Sequence, residues 1–389
     1  MRIFALDEAT PQTSGSKASV LATLRHEGID VPDGFVVPIS EYERHHRAGG
    51  RGPTLPQLEA GLVDAIDAHL RRLDGGAGDG YVAVRSSATD EDGTHSSAAG
   101  QHDTILAVRG AHAVAAAVAR CWASLHSLRA TAYRDGQHAT SSQPPAMAVL
   151  VQRFVDAEVS GVLFTSTPRV VEAVPGLGAP LVGGEVTPDA WSLDDSGIIA
   201  RRKGTVTQRL DRRGERLRTT SLDRPDRWCL TDASILQLDR LGREVRQILG
   251  HEADIEWART NHRFRCLQAR PITAAVAQFG HQGVGIPASP GHATGATRVL
   301  RSPRDFHHFQ RGDIIVCRTT DPAWTPLFNL AAGVVTEAGG LLSHAAIVAR
   351  EVGIPAVLSV PRATDRFPDG TILTLDGTTG HVQSSSHPA

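Results

Sequence analysis

The sequence predicts a mixed α/β fold with more than one domain. Short apolar runs alternate with helical patterns over residues 1–273, and the loops between them are rich in Gly, Pro, Ser and Asp. From residue 286 onward, strand-like runs such as GDIIVC and TILTLDG surround one long helical pattern. The 389 residues are enough for two or three domains of ordinary size, each with its own core.

Composition and charge limit the partners and the location of the protein. The formal net charge is −2 and there is no long run of Lys and Arg, whereas binding to a nucleic-acid backbone requires clustered basic side chains. No apolar stretch approaches the roughly 18 residues of a membrane span, and the first residues lack the pattern of a signal peptide. We therefore expect a cytoplasmic protein whose partners are small molecules or proteins, not nucleic acid or a membrane.

Residues 274–285, AAVAQFGHQGVG, interrupt the alternating pattern. Their small side chains and three glycines predict a linker. Twelve residues at about 3.3 Å each span up to about 40 Å when extended. The expected organisation is a first domain over residues 1–273, this linker, a second domain over residues 286–383 and a tail over residues 384–389. Such a linker would allow the second domain to move over a long distance.

His344 is the residue that most directly suggests chemistry. The run AAGVVTEAGG predicts a buried strand leading into a turn at Gly339 and Gly340, and SHAAIVAREVG predicts a helix with Ser343 as its N-cap and Gly353 at its end. His344 then occupies the first helical position, where free N–H groups and the helix dipole favour anions and disfavour an imidazolium. A neutral imidazole is a nucleophile, and the two glycines leave room for a phosphate. The pattern favours a phosphoryl-carrying histidine over a polar surface residue.

Two segments of the first domain predict phosphate contacts. GSKASVLATLRHEG places Lys17 near the start of a helix. YVAVRSSATDEDG delivers Arg85 from a strand, and the fork of donors on its guanidinium suits phosphate oxygens. The small-residue run SSAAGQ, which ends in Gly100 and Gln101, is a flexible cover for phosphates. A solvated lysine, and an arginine paired with the acidic run that follows it, are the alternatives.

DIEWARTNHRFRCLQARPI predicts two antiparallel strands joined by a turn. Across such a pair Glu256 and Gln268 point to one face and offer oxygen ligands to Mg²⁺, which prefers hard oxygen donors beside nucleotide phosphates. Arg270, two residues beyond Gln268, projects to the same side and would neutralise charge on a transferred phosphoryl group. A half-exposed hairpin with a surface salt bridge is the alternative.

The second domain resembles the swivelling domains of the phosphoenolpyruvate-utilising enzymes, which include phosphoenolpyruvate synthase, pyruvate phosphate dikinase and rifampicin phosphotransferase. TEAGGLLSHAAIVAREVGIPAV closely resembles their phosphohistidine motif, TTDPAWTPLF is also similar, and the match runs from about Gly285 to Val382. The resemblance implies that His344 carries the phosphoryl group. It also implies that the hydroxyl of Thr336 or Ser343 hydrogen-bonds the ring or its phosphate.

The first domain resembles the ATP-grasp domain of the same enzymes over nearly all of residues 10–273, including AVLVQRFVDAEVSGVLFTSTP and GLGAPLVGGEVTPDAW. The resemblance implies a site for ATP and Mg²⁺, with the strand Gln152–Val155 passing the adenine. It gives catalytic roles to His344, Arg270, Arg85 and Lys17, and a phosphohistidine loop of Thr336, Gly339, Gly340 and Ser343. It makes Glu256 and Gln268 metal ligands, and it extends the nucleotide contacts to Lys17, Arg85, Gly100, Gln101, Thr104, Gln152, Phe154, Val155, Glu256, Gln268 and Arg270.

The resemblance implies a dikinase-type reaction in which ATP gives its β-phosphoryl group to His344, with AMP and inorganic phosphate as products. Neither a pyruvate barrel nor a rifampicin-binding domain finds a match in the sequence. We therefore expect another small-molecule acceptor, such as an antibiotic or a natural-product intermediate. An acceptor site on a separate protein is the first alternative. The others are an ATP-grasp ligase and a catalytically silent nucleotide-binding regulator, the latter suggested by Ala179 and Thr167, which stand where many members have acidic residues.

Overall fold

The chain forms two compact units, each built from separate stretches of sequence. The computed structural model describes residues 3–47, 58–76, 78, 80–88, 104–126, 146–272 and 284–384. Unit 1 contains Met1–Glu158, Asp211–Thr219 and Glu244–Pro271, and unit 2 contains Val159–Leu210, Thr220–Arg243 and Ile272–Ala389. The units follow spatial proximity and not chain order, so the division into sequential domains remains a prediction. The predicted linker lies almost wholly outside the described residues.

Unit 1 contains a five-stranded antiparallel sheet. Its strands stand in the order β1 (Phe4–Ala5), β2 (Gly34–Val37), β5 (Met147–Arg153), β3 (Tyr81–Ala88) and β4 (Thr104–Arg109). The sheet and its neighbours include the helices α1 (Pro11–His26), α2 (Ile39–Arg47), α3 (Ala60–Leu73) and α4 (Ala111–Ser124). Strand β3 is almost wholly buried, yet its later residues are polar: Arg85, Ser86 and Ser87. Because buried polar groups require partners, this end of β3 marks a site.

Unit 1 also contains the predicted hairpin. Strands β12 (Ala253–Thr260) and β13 (Arg263–Pro271) pair antiparallel, which confirms the predicted strand pair. The two residues that join them, Asn261 and His262, both have positive φ angles of 50° and 61°. A tight two-residue connection of this kind fixes the register of the two strands.

Unit 2 contains four neighbouring antiparallel strands in sequence order. They are β6 (Val159–Phe164), β7 (Arg169–Pro175), β8 (Asp189–Asp194) and β9 (Gly197–Arg202), with the short helix α5 (Ala179–Val182) between β7 and β8. The elements β10 (Gln208–Arg213), β11 (Arg216–Ser221) and α6 (Asp232–Leu249) each contain residues of both units. Within the described ranges, no helix combines the length and the apolar character needed to cross a membrane.

A seven-stranded sheet forms the rest of unit 2. Its order is β14 (Ile286–Ser289), β18 (Ala356–Leu358), β17 (Gly333–Thr336), β16 (Ile314–Cys317), β15 (His292–Val299), β19 (Ile372–Asp376) and β20 (His381–Ser384). The pairs from β15 through β16 and β17 to β18 are parallel, and the pairs at the two edges are antiparallel. The sheet is accompanied by α7 (Thr325–Phe328), α8 (His344–Val352), α9 (Ala363–Arg366) and the 3₁₀ turns Pro303–His308 and Pro322–Trp324. A further 3₁₀ turn, Leu6–Glu8, follows β1 in unit 1.

The helix predicted from SHAAIVAREVG is α8, and its ends are as expected. Ser343 is the N-cap, and its Oγ accepts a hydrogen bond from the Ala346 N–H at 3.4 Å. Gly353 ends the helix in the left-handed conformation, with φ of 76°. The helix connects β17 to the parallel strand β18, so its first residue lies beyond the carboxyl end of a buried strand. Ligand sites in parallel α/β sheets commonly lie at this edge.

Gly15 interrupts α1 at the point where the helix meets β3. Its φ of 71° is available to glycine without steric cost, and the φ and ψ of this residue are not helical. A Cβ atom at Gly15 would lie 2.7 Å from the carbonyl oxygen of Ser87. The glycine therefore allows the two elements to approach closely.

We expect Gly15→Ala to lower the free energy of unfolding more than Gly28→Ala does. Both residues have positive φ angles, so both variants incur a left-handed backbone penalty of about 1–2 kcal/mol. No described atom lies within 4 Å of a Cβ at Gly28, whereas a Cβ at Gly15 meets backbone. Urea unfolding of the two variants measures the difference, and equal losses would contradict the close contact.

Candidate active site

Arg85 lies at the centre of a polar cluster in unit 1. Strand β3 carries it into a buried position, where it is 7 % exposed. Its Nη2 donates to Gln268 Oε1 at 2.7 Å and to Glu256 Oε2 at 3.2 Å, and its Nη1 donates to the carbonyl oxygen of Leu267. Because a buried guanidinium needs acceptors for its donors, these contacts fix the direction of the side chain.

Glu256 and Gln268 face each other across the hairpin, next to a β-bulge. Asp254 and Arg270 are the partners two residues away on each strand, so alternation places them on the same face. Arg270 Nε donates to both carboxylate oxygens of Asp254, at 2.8 and 2.9 Å. Glu256, Gln268 and Arg270 thus share one face, as the alternation predicts, while their catalytic roles remain predictions. Asp254 was missed, although the same two-residue spacing from Glu256 points to it.

Lys17 reaches the same end of β3 from α1. It lies two residues after the break in the helix, is 5 % exposed, and its Nζ donates to the carbonyl oxygen of Ser86 at 2.9 Å. The break is fastened to the strand, because Ser87 Oγ donates to the carbonyl oxygen of Ser14 at 2.6 Å. The alternative of a solvated lysine is therefore wrong, since the ammonium group is held against the backbone of the residue that follows Arg85.

Other residues predicted to contact the nucleotide lie at varied positions. Thr104 is the Cα partner of Arg85 on β4 and is exposed. Gly100 and Gln101 lie outside the described residues. Their roles as nucleotide contacts remain predictions.

The strand expected over Gln152–Val155 ends earlier than predicted. Strand β5 stops at Arg153, because its neighbour β3 begins opposite that point and the Phe154 N–H donates to the first residue of β3 at 2.9 Å. Gln152 is buried, and its amide donates to the carbonyl oxygen of Pro32 at 3.0 Å. Phe154 and Val155 therefore follow the strand and are not part of it, and the adenine contact remains a prediction.

The polar cluster fits ATP with Mg²⁺. Arg85 Nε is buried and has no hydrogen-bond partner among the described residues, and an unsatisfied buried donor calls for an acceptor such as a phosphate oxygen. Glu256 keeps a side-chain exposure of 21 %, so its carboxylate is open to a ligand. A carboxylate and an amide oxygen are ligands that Mg²⁺ accepts beside phosphate oxygens. Glu256 and Gln268 would hold the ion, and Arg85 and Lys17 would complement the phosphate charge.

His344 is the first residue of α8, in unit 2, and its ring is held at both nitrogens. Nδ1 lies 2.8 Å from Thr320 Oγ1, and Nε2 lies 3.2 Å from Thr325 Oγ1. The ring of Phe328 meets it edge to face, with centroids 5.7 Å apart. The two hydroxyls and the phenyl ring fix the plane of the imidazole.

Burial determines the charge of His344. The residue is 7 % exposed, and desolvation lowers the pKa of its imidazole from 6.5 to about 3. The ring is therefore neutral at physiological pH, with a proton on one nitrogen and a lone pair on the other. This agrees with the expectation of a neutral nucleophile, but desolvation is the main cause and not the helix dipole.

The hydroxyls expected to bond the His344 ring are engaged elsewhere. Thr336 Oγ1 donates to the carbonyl oxygen of Ala338 at 2.6 Å, and Ser343 Oγ accepts the N-cap bond. Both serve the local backbone, as hydroxyls near turns and helix starts commonly do. The ring partners are instead Thr320 and Thr325, which the sequence interpretation missed although they lie in the TTDPAWTPLF segment.

The space beside the double glycine is also used differently from the expectation. A Cβ atom on Gly340 would lie 2.4 Å from Glu172 Oε2, and the Leu341 N–H donates to that oxygen at 2.8 Å. Gly339 has a φ of 120°, which an ordinary residue rarely adopts. In this arrangement a carboxylate, and not a phosphate, occupies the place next to Gly340. No motif in the sequence pointed to Glu172.

Comparison with known families matches both parts of the chain. Residues 51–284 match the family described as pyruvate phosphate dikinase, AMP/ATP-binding domain, and residues 309–380 match the family described as PEP-utilising enzyme, mobile domain. An ATP-grasp domain combined with such a mobile domain defines a class of ATP-dependent phosphotransferases. The chain belongs to the phosphoenolpyruvate synthase and pyruvate phosphate dikinase family.

Curated relatives agree with this assignment. The probable phosphoenolpyruvate synthase of Methanothermobacter thermautotrophicus is 33 % identical over 96 % of this chain and 61 % of its own length. The phosphoenolpyruvate synthase of Aeropyrum pernix is 32 % identical over 96 % of this chain and 56 % of its own length. That of Pyrococcus furiosus is 37 % identical over 78 % of this chain and 41 % of its own length. The chain thus spans about half the length of the curated relatives it matches.

The family assignment bears on the earlier expectations. It confirms the enzyme class, the mixed α/β fold with an ATP-grasp domain, and ATP with Mg²⁺ as cofactors. The relatives are named for phosphoenolpyruvate. The expectation of an antibiotic or natural-product acceptor is therefore set aside, as is the exclusion of pyruvate.

We expect the His344→Asn variant to lose less stability in acid than the wild type. The folded pKa of about 3 lies below the usual 6.5, so the unfolded state binds more protons between these values and the free energy of unfolding falls as pH drops through that window. The slope from this one group is at most about 1.4 kcal/mol per pH unit. Urea unfolding at several pH values between these limits measures it. The exposed His292→Asn variant is the control, and a wild-type slope in His344→Asn would contradict the burial effect.

We expect Arg85→Lys to weaken binding of Mg²⁺-ATP by about tenfold or more, because an ammonium group cannot reproduce the fork that contacts Glu256 and Gln268 together. Isothermal titration calorimetry measures the affinity. Arg109→Lys, on the neighbouring strand β4, is the matched control and should bind as the wild type does. Unchanged affinity in Arg85→Lys would remove Arg85 from the nucleotide site.

Proposed function

We propose that this chain is a dikinase-type phosphotransferase in which ATP phosphorylates His344, with AMP and inorganic phosphate as products, and phospho-His344 passes the group to a small-molecule acceptor. The observation that carries the proposal is the neutral imidazole at the start of α8, held by two threonine hydroxyls. A side chain buried merely for packing would not need a hydroxyl at each ring nitrogen. Membership of the family supports the same reaction.

The hydroxyl pair bears on which nitrogen reacts. Nδ1 has the shorter contact, 2.8 Å to Thr320, and Nε2 has the longer contact, 3.2 Å to Thr325. If Thr320 accepts the Nδ1 proton, Nε2 keeps its lone pair for attack on phosphorus. The N–P bond then forms at Nε2 as a P–O bond of the triphosphate breaks, and the Thr325 hydroxyl turns to a new partner. Thr320 would keep the ring in this tautomer throughout.

The unit 1 cluster supplies the electrostatic part of the reaction. Bound Mg²⁺ would bridge phosphate oxygens and neutralise part of their charge. Lys17 and Arg85 would hold the phosphate chain in position, since phosphoryl transfer depends on positioning and charge neutralisation more than on covalent chemistry. Arg270 is kept in place by Asp254, and its remaining donors would face the transferred group. His344 alone would form a covalent bond.

Pyruvate is the acceptor that the relatives support best, because several of them are named phosphoenolpyruvate synthase. Transfer from phospho-His344 to pyruvate would form phosphoenolpyruvate and regenerate the neutral imidazole. A phosphocarrier that delivers the group to an acceptor site on a separate protein is the second candidate. The extent of the match, about half the length of those relatives, keeps it under consideration.

Intact-mass measurement after incubation with ATP and Mg²⁺ tests the loading step. We expect the wild type to gain the mass of one phosphoryl group, with AMP and phosphate released, and β-labelled ATP to transfer its label. His344→Ala should gain nothing, whereas the exposed His292→Ala variant should be loaded normally. A modification that persists in His344→Ala, or ADP as the sole nucleotide product, would contradict the proposal.

The acceptor is tested by adding pyruvate to the loaded protein. We expect loss of the added mass together with formation of phosphoenolpyruvate, and we expect phosphoenolpyruvate alone to load the wild type in the reverse direction. Loaded protein that is stable to pyruvate yet discharged by a partner protein would favour the phosphocarrier. Absence of loading in every condition would favour a silent regulator.

A further inference from the structure

The phosphohistidine loop, here residues 339–343, rests on strand β7 within unit 2. Glu172 projects from that strand, is fully buried, and accepts the Leu341 N–H at 2.8 Å. A Cβ atom on Gly340 would lie 2.4 Å from the same carboxylate oxygen. The contact therefore depends on a glycine at residue 340 and on the reach of a glutamate side chain from β7.

Other contacts seat the same loop. Thr319 Oγ1 donates to the carbonyl oxygen of Gly184 at 3.1 Å, and the hydroxyls of Thr187 and Ser359 lie 2.7 Å apart. Ser359 Oγ donates to the carbonyl oxygen of Gly339 at 2.8 Å. These contacts are all between uncharged groups. Glu172 is thus the acidic contact among those described for the seat of the loop.

Two arginines face the buried carboxylate. Arg202, on β9, has its Nη2 at 3.8 Å from Glu172 Oε1, which is an ion-pair distance but too long for a hydrogen bond. Arg350, on α8, donates to the carbonyl oxygen of Leu341 at 2.7 Å. Glu172 Oε1 has no hydrogen-bond partner among the described residues. A buried carboxylate that is only partly compensated is costly, so the seat is sensitive to added charge or to protonation.

We propose that Glu172 is a positioning residue that docks the phosphohistidine loop while His344 carries no phosphoryl group, and that phosphorylation releases the loop. In the docked arrangement His344 is buried and both ring nitrogens are engaged, so the ring cannot receive a phosphoryl group there. A phosphoryl group would add about two negative charges only three residues from the amide that Glu172 binds. Burial keeps solvent ions from screening the repulsion between the two anions.

The protonation of Glu172 supports the same device. Burial raises the pKa of its carboxyl group to about 7, opposed by Arg202, by the Leu341 N–H and by Arg350, whereas the ordinary value is 4.5. The docked state therefore binds more protons than the released state between these two values. Docking is then strongest below this window, weakens as the pH rises through it, and loses this contribution above pH 7.

Hydrogen exchange at the amides of residues 341–346 measures docking without any catalysis. After correction for intrinsic rates, we expect the wild type to exchange about tenfold or more faster above the window than within its acidic half. Glu172→Gln keeps an oxygen acceptor but cannot ionise, so its corrected exchange should not change over the same range. Glu172→Ala should exchange faster than the wild type at the acidic end.

Glu337→Gln is the matched control, because Glu337 also contacts the backbone of unit 2 through its carboxylate but bonds Thr364 and not the loop. It should follow the wild type. A wild type without pH dependence, or a Glu172→Gln variant with the wild-type dependence, would overturn the proposal. If Glu172→Ala fails to fold, the comparison of wild type with Glu172→Gln still decides.

A second arm rests on the proposed function. Wild type loaded with ATP and Mg²⁺, with loading verified by intact mass, should exchange faster at the loop than unloaded protein, and loaded Glu172→Gln should show a smaller increase. Equal exchange in loaded and unloaded wild type would overturn release by phosphorylation. If no loading occurs, the reaction proposed above fails, whereas the pH comparison still tests Glu172.

Discussion

The desolvation of one imidazole is the constraint on which the chemistry of this protein depends. His344 is buried deeply enough that its pKa falls to about 3, and this makes the ring a neutral nucleophile. The same burial closes the ring to any phosphoryl donor. A residue that must be dry to be reactive and exposed to react requires a structural element that moves. The match to a mobile domain is consistent with that requirement.

The cluster around Arg85 solves a different problem, which is to hold excess charge in readiness for a ligand. Its guanidinium contacts Glu256, Gln268 and a backbone carbonyl, while Nε stays without a described partner. The carboxylate and the amide thus orient the arginine in the absence of ligand and offer the oxygens that a metal ion needs. Preorganised charges of this kind cost little reorganisation when the substrate arrives.

Glu172 links these two requirements in physical terms. A loop that presents free N–H groups at a helix start will bind an anion, and in the docked arrangement a protein carboxylate supplies it. A phosphoryl group on the neighbouring ring would compete for the same region. The loop therefore has two anions available and room for one, which is how a local charge can bias a bistable element.

Local sequence patterns determined the elements and the candidate residues. The N-cap Ser343, the terminal Gly353, the reactive position of His344 and the shared face of Glu256, Gln268 and Arg270 follow from helix caps and strand alternation, which act over a few residues. Only the tertiary structure decided the partners. Thr320 and Thr325 reach His344 from 24 and 19 residues away, and Glu172 reaches Leu341 from 169 residues away. No local rule covers such distances, because burial and long-range contacts arise from how the strands and helices pack. For the same reason the neutrality of His344, inferred from the helix start, proved to depend mainly on desolvation.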